Sequence, residues 1–290
     1  MKEAPVSRVR IIVIASLLVL CGVALMVYPH MGHVSIQRTH ARLIAEYNRI
    51  VSQMCQDTLE QYWQTARSYN NNVSGYDLNF AYFTPGSGAV RMPYSIYIQT
   101  LNIGPMGMMG YIQIPAIRVR LPILHTSSEE VMDLTVGHLE WTSLPIGGSH
   151  THAALTAHSA WHTHRLFSDL EKLTYGDIFF INVLGETLAY QVDRIVVTLP
   201  HQTEYATIMG NGDYVTLMTC YPYAVNTHRL QVRGSRIPYE PGMMNNIASV
   251  LPRNMLGIYV VILMGVAACI AIAIASKIVY DERKRKGSVA

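Results

Sequence analysis

The hydrophobic pattern changes period several times along the chain. Ile11 to Tyr28 is an apolar run without charge, and Met255 to Ser276 is a second. From Ile36 to Ser68 there is no Gly or Pro, and Leu43, Ile44, Tyr47, Ile50, Val51 and Met54 recur at spacings of three and four. That spacing predicts an amphipathic helix, in one piece or two. From Asn70 to Pro93 the pattern dissolves into NNN, Gly75 and TPGSG, which reads as a long loop, the kind that serves as a lid or a linker. Between Met109 and Tyr239 the apolar runs become short and are punctuated by Gly, Pro and Asn. Strands are predicted at Tyr111–Ile114, Val119–Leu124, His152–Thr156, Ile178–Val183, Thr187–Thr198, Tyr214–Thr219 and Arg229–Arg236. Gly185 to Thr187 reads as a hairpin tip. Helical turns are expected at Ser128–Leu134, where serines precede early acids, and at Leu166–Leu173. This spacing over about 130 residues predicts a mainly β fold, a closed or nearly closed barrel. No internal repeat or low-complexity tract is present.

The two end runs are each about long enough to cross a hydrocarbon core of roughly 30 Å as a helix. Lys2, Arg8 and Arg10 precede the first, and Lys277 with Arg283, Lys284, Arg285 and Lys286 follows the second. Basic residues at both outer flanks place both termini in the cytoplasm and the middle of the chain outside. The first run also fits a cleaved signal peptide, but Val27, Tyr28, Pro29 and His30 offer no small-residue cleavage site, and Leu20 before Cys21 is too bulky for a lipoprotein signal. An uncleaved anchor is therefore expected. The organisation that follows is a cytoplasmic terminus and first span over 1–29, a helical segment and loop over 30–107 and a barrel over 108–240. A linker over 241–254, a second span over 255–276 and a basic tail over 277–290 complete it.

Composition supports that division. Apolar residues make up 50% of the chain and charged residues 14%, a balance that leans toward the membrane. The net charge of +3 is uneven: residues 29–254 carry 14 Lys and Arg against 16 Asp and Glu, and the ends carry 8 basic against 3 acidic residues. The basic excess is thus a topology signal suited to anionic lipid, and it gives no support to nucleic-acid binding.

Candidate chemistry concentrates between Val215 and Arg229, VTLMTCYPYAVNTHR. An apolar strand ends at Cys220, Pro222 and Asn226 mark a loop, and the pattern resumes after Arg229. Two antiparallel strands joined there would bring Cys220 and Arg229 side by side. His158, in HAALTAHSA, ends another apolar run. A thiol, an imidazole and a guanidinium at strand ends supply a nucleophile, a proton carrier and a fixed positive charge able to hold an oxyanion. Singly, each has an ordinary reading as a buried small residue, a surface histidine and a strand cap. Four cysteines are too few for a disulfide framework. Cys21 and Cys269 fall in the end runs, and Cys55 reads as a small residue on a helix face. A Cys55–Cys220 disulfide is open to an extracellular chain but would remove the thiol. His150, His152, His162 and His164 form two H-x-H pairs, a geometry found in metal sites. With no carboxylate or cysteine partner nearby, no metal and no cofactor are expected, and a metal-binding or adhesive ectodomain is the distant alternative.

TLMTC followed by YPYAVNTHRLQVRG resembles the signature of the sortases, membrane-anchored cysteine transpeptidases of Gram-positive bacteria. MGYIQIPAI from Met109, VGHLEWTSLPIGG from Val136, LTAHSA from Leu155 and GDIFFINVLGETLAYQVDRI from Gly176 are similar to the pilus-polymerising class C branch. The resemblance spans roughly residues 108 to 237. It implies a closed barrel of about eight strands behind an N-terminal helical and lid segment, with flanking membrane helices. It also implies catalytic roles for His158, Cys220 and Arg229. Class C members carry a lid with an Asp-Pro-aromatic motif. Here YDLNFAYF, from Tyr76, offers Asp77 and Phe80 without the proline and at a different spacing. The implied activity is cleavage of LPXTG-type sorting signals through a Cys220 thioester, resolved by a pilin lysine. A housekeeping sortase using a cell-wall peptide amine is the alternative.

Overall fold

The computed structural model describes residues 36–74, 93–159, 166–200, 202 and 210–243, with single positions in the end segments (17, 18, 21, 22, 263, 265, 266, 269, 273, 276 and 277). The chain forms two units. Met1–Ser35 and Val250–Ala290 make one, and Ile36–Ser249 the other. In the first, the described residues are helical, and Leu17, Leu18, Leu263 and Val266 are exposed. Among the described residues no helix is long and apolar enough to cross a membrane. Most of both expected spans, Ile11–Tyr28 and Met255–Ser276, lies outside them.

In the second unit eight strands close a barrel. They are β1 (Met108–Ile114), β2 (Val119–Leu124), β3 (Val136–His138), β4 (Thr151–Thr156), β5 (Ile178–Val183), β6 (Glu186–Thr198), β7 (Asp213–Tyr221) and β8 (His228–Ile237). Their order around the barrel is β1-β2-β3-β4-β7-β8-β6-β5, and β1 pairs with β5 to close it. Two pairs are parallel, β2–β3 and β4–β7. Alternation puts one side of each strand inside. Ile112, Leu121, Ile181, Leu188, Leu155, Leu217 and Val232 are buried in one cluster, many of them direct cross-strand neighbours. The predicted hairpin lies between β5 and β6, where Leu184 (φ 50°) and Gly185 (φ 82°) take the left-handed conformation of a two-residue turn. β3 escaped the sequence reading because three residues are too few to show a period.

The amphipathic stretch is two helices, α1 over 36–53 and α2 (Gln56–Ser74), broken at Met54 and Cys55. The loop expected from Asn70 is corrected at its start, since α2 continues to Ser74. Asn70 donates to the Leu144 carbonyl at 3.1 Å and accepts from the Leu144 N–H at 2.7 Å, a buried pair that outweighs the low helix propensity of the Asn run. The rest of that expected loop, residues 75–92, lies outside the described residues; a short helix, α3 (Tyr94–Gln99), follows Pro93 where none was predicted and buries Tyr97. α4 (Glu129–Leu134) forms where a turn was expected, with Ser128 at the N-cap position but no side-chain cap bond. The Leu166–Leu173 turn is a single 3-10 turn at Leu170–Lys172.

Two buried polar anchors tie the helices to the barrel. From α1, the Tyr47 hydroxyl donates to the Met109 carbonyl and accepts from the Leu184 N–H, each at 2.9 Å. Replacing Tyr47 with Phe should cost about 1–3 kcal/mol, because two buried backbone groups lose their partner. Urea unfolding of Tyr47→Phe beside the parent chain measures it, and an unchanged midpoint would count against this anchor.

From α3, the Tyr97 hydroxyl lies 3.0 Å from His138 Nδ1, and His138 Nε2 lies 2.8 Å from the Ser143 carbonyl. Nε2 therefore carries the proton and Nδ1 accepts from the tyrosine. Burial pushes His138 down from 6.5 to about 3 and also lowers His125. The unfolded chain takes up these protons below about pH 6.5, whereas the folded chain resists them. Stability is thus full above that pH and declines as the pH falls toward 3. The melting temperature should drop between pH 7 and pH 4.5, and less steeply in His138→Asn, as thermal melts by circular dichroism would show.

Candidate active site

β7 lies between a parallel and an antiparallel neighbour, and the candidate side chains collect at its C-terminal end. On one side Cys220 is the direct register partner of Arg229 in β8. On the other, β4 runs parallel with Thr156 opposite Met218. Beyond β4 the pairing continues: the Ala157 N–H donates to the Met218 carbonyl at 3.2 Å, and the Thr219 hydroxyl donates to the Ala157 carbonyl at 2.7 Å. The next residue is His158, whose carbonyl accepts from the N–H of the fully buried Phe167 at 3.0 Å. The same register step thus places His158 and Arg229 on either side of Cys220. All three belong to the face of the sheet opposite Leu217 and Val232.

The site is half-open. Cys220 and Arg229 are partly buried, and the His158 side chain retains 23% of its exposure. The Arg229 guanidinium donates to the carbonyls of His228 (3.1 Å) and Asn226 (3.4 Å), so the β7–β8 loop holds the charge at the strand end. Two residues along β8, Gln231 is buried and donates to the Thr198 hydroxyl at 2.9 Å. His158 Nε2 lies 3.2 Å from Asp133 Oδ1 on α4. Exposed Tyr223 and Val225 in the β7–β8 loop, with Val197 and Leu199 at the end of β6, give this end an apolar rim. A nucleophile, a proton carrier and a fixed cation, partly shielded from water beside an apolar rim, suit acyl transfer from a peptide.

The structure brings together the three residues that the sequence singled out. Asp77, Phe80, His162 and His164 lie outside the described residues. His150 has φ 58° and precedes β4, while buried His152 meets the Thr216 hydroxyl at 2.7 Å, so this H-x-H pair is not a two-ring face on one strand. Among the described residues no group of three His, Cys, Asp or Glu is placed to hold a metal. Asp133 was missed. It falls in a six-residue helix, and no spacing in the sequence links it to His158.

Cys55 differs from its expected place on a helix face. It is free and exposed just before α2, 3.1 Å from the Thr58 hydroxyl, and that hydrogen bond lowers its pKa. Cys220 is likewise free, so the two form no disulfide. A cleft of about 780 Å³ lies at the other end of β7, lined by Trp63, Arg67, Gly148, Asp213 and Arg236 among others. Of its two carboxylates, Asp213 is occupied by the Tyr190 hydroxyl and the Gly148 N–H, and neither cysteine nor histidine lines the cleft.

A closed barrel presenting cysteine, histidine and arginine at adjacent strand ends defines a cysteine acyl-transfer enzyme. The family model described as Sortase domain matches residues 112–237. Sortase C1 from Streptococcus agalactiae is 39% identical with a TM-score of 0.63, covering 69% of this chain and all of that one. Streptococcus pneumoniae Sortase C, whose structure is described as informing catalysis and pilin substrate specificity, is 40% identical with a TM-score of 0.59, covering 68% and 97%. Clostridium perfringens sortase C, solved with the C-terminal cell wall sorting motif, is 35% identical with a TM-score of 0.59, covering 69% and 100%. The chain belongs to the sortase family of cysteine transpeptidases, and these structural neighbours are class C members.

The two described thiols of the barrel unit should separate by function. A small methanethiosulfonate at pH 7 is expected to modify both Cys55 and Cys220, with loss of activity tracking Cys220 alone. Cys55→Ala should keep its turnover within about twofold, since Cys55 is exposed at the break between α1 and α2 and belongs to none of the strands that build the site. Peptide mapping of partly labelled protein, read against residual turnover, checks this.

Proposed function

We propose that this sortase builds covalent polymers of surface proteins at the outer face of the membrane, with His158, Cys220 and Arg229 as its catalytic residues. The observation that carries the reading is the register of β7, which pairs Cys220 with Arg229 on one side and brings His158 beside it on the other. The Cys220 sulfur attacks the threonine carbonyl of an LPXTG-type signal while His158 takes the thiol proton. Arg229 and nearby backbone N–H groups hold the oxyanion. The amide C–N bond breaks, His158 returns the proton to the departing amine, and a thioester on Cys220 remains. A lysine amine of the next subunit then attacks the thioester, giving up a proton as the thiol is restored.

Pilin as the donor and acceptor rests on the class C neighbours, one solved with a sorting motif and one described in terms of pilin specificity. Anchoring rests on the two apolar runs with basic outer flanks. A substrate held by its own membrane segment would meet the enzyme at raised effective concentration.

Mass spectrometry of the full chain with an LPXTG peptide, alone and with competing lysine and cell-wall peptide amines, tests the proposal. The expected result is cleavage after threonine, a trapped thioester absent in Cys220→Ala, and transfer to lysine. Transfer to the cell-wall amine instead would assign a housekeeping role. No thioester with any sorting peptide would sink the mechanism.

A further inference from the structure

α4 lies against the catalytic end, held by contacts to β4, α1 and β2. The Thr156 hydroxyl on β4, two residues before His158, meets the Met132 sulfur at 3.9 Å. His40 of α1 lies 2.8 Å from the Leu134 carbonyl through Nε2, and the Thr135 hydroxyl donates to the Pro122 carbonyl at 2.8 Å. Asp133 sits between these attachments. Its Oδ1 is shut off from solvent, accepts no aligned hydrogen bond, and lies 3.2 Å from His158 Nε2. A carboxylate in the last turn of a helix faces the negative end of the helix dipole and does nothing for the helix itself. The contact to the imidazole is therefore the feature that gives this position a purpose.

We propose that Asp133 is a positioning residue for the transpeptidation reaction: its carboxylate holds His158 by Nε2 and so commits the proton transfers to Nδ1. The inference rests on the reading of His158 as the catalytic proton carrier. An imidazole has two nitrogens, and only one can serve the sulfur and the leaving amine in a given ring orientation. Once the Nε2–H is turned onto Asp133, Nδ1 is the acceptor in the neutral ring and the donor in the imidazolium. The Nε2–H contact is kept in both states, so the ring takes the thiol proton and returns it to the amine without turning over. The 3.2 Å separation in the resting chain leaves room for this bond to tighten when substrate closes the site.

The test uses full-length protein labelled with 15N-histidine, with the His158 ring signals assigned by difference from His158→Gln. In the parent chain the neutral ring should show a protonated Nε2, and in Asp133→Ala that signal should move as tautomers mix. Turnover of a sorting-signal peptide should fall about ten- to a hundredfold in kcat in Asp133→Ala, with KM within about twofold, a part of what general acid–base catalysis is worth. Asp133→Asn keeps an acceptor oxygen and should lose less. Glu130→Ala, on the exposed side of the same helix, should leave both readouts as they were. Unchanged ring signals in Asp133→Ala overturn the proposal, whether kcat is kept or falls together with thermal stability. Full turnover in His158→Gln would instead overturn the reading beneath it, which silent Asp133 variants alone would leave standing.

Discussion

The site depends on one register. β7 pairs in parallel with β4 and antiparallel with β8, and those two alignments place His158, Cys220 and Arg229 in a row. A slip of one residue in either pairing would turn the partner side chain to the opposite face of the sheet. The alignment is held from inside by Leu155, Leu217 and Val232, which meet across the three strands in the core. Packing in the barrel interior therefore fixes chemistry on its exterior.

The helices extend that control to the surroundings of the site. α1 is tied to β1 and to the β5–β6 turn through one tyrosine hydroxyl, and to α4 through His40. α3 places Tyr97 against a neutral, buried His138 at the end of β3. These contacts use few polar groups, each satisfied by backbone partners in the interior, so they fix position at little cost in buried charge. Helices α1 and α3 are thus part of the scaffold, and α4 with its carboxylate is tied to α1.

Much of this was legible in the sequence because it rests on periodicity and on local motifs. Alternation over Tyr214–Thr219 and the turn residues Pro222 and Asn226 are enough to place Cys220 opposite Arg229. His158 was legible as the end of an apolar run, but its approach to Cys220 was not, since it depends on a parallel pairing that leaves no local mark. β3 is too short to carry a pattern, and the helical state of Asn70–Ser74 is set by a bond to Leu144, 74 residues away. Asp133 was invisible for the same reason: a contact between a short helix and a strand end is a tertiary fact. Cys55 misled because spacing shows which face a residue shares and not whether a break in the helix exposes it.

The mixture of parallel and antiparallel neighbours around β7 also bears on the order in which the three side chains meet as the chain folds. Cys220 and Arg229 are joined by a short hairpin loop, whose closure costs little entropy and requires no other strand. His158 joins them only by a pairing across 62 residues, from the Ala157 carbonyl to the Thr219 hydroxyl, with β5 and β6 threaded between. Such long-range parallel contacts form late. A half-folded chain would therefore hold Cys220 beside Arg229 without His158, and the proposed nucleophile would gain its proposed proton carrier only on closure of the barrel.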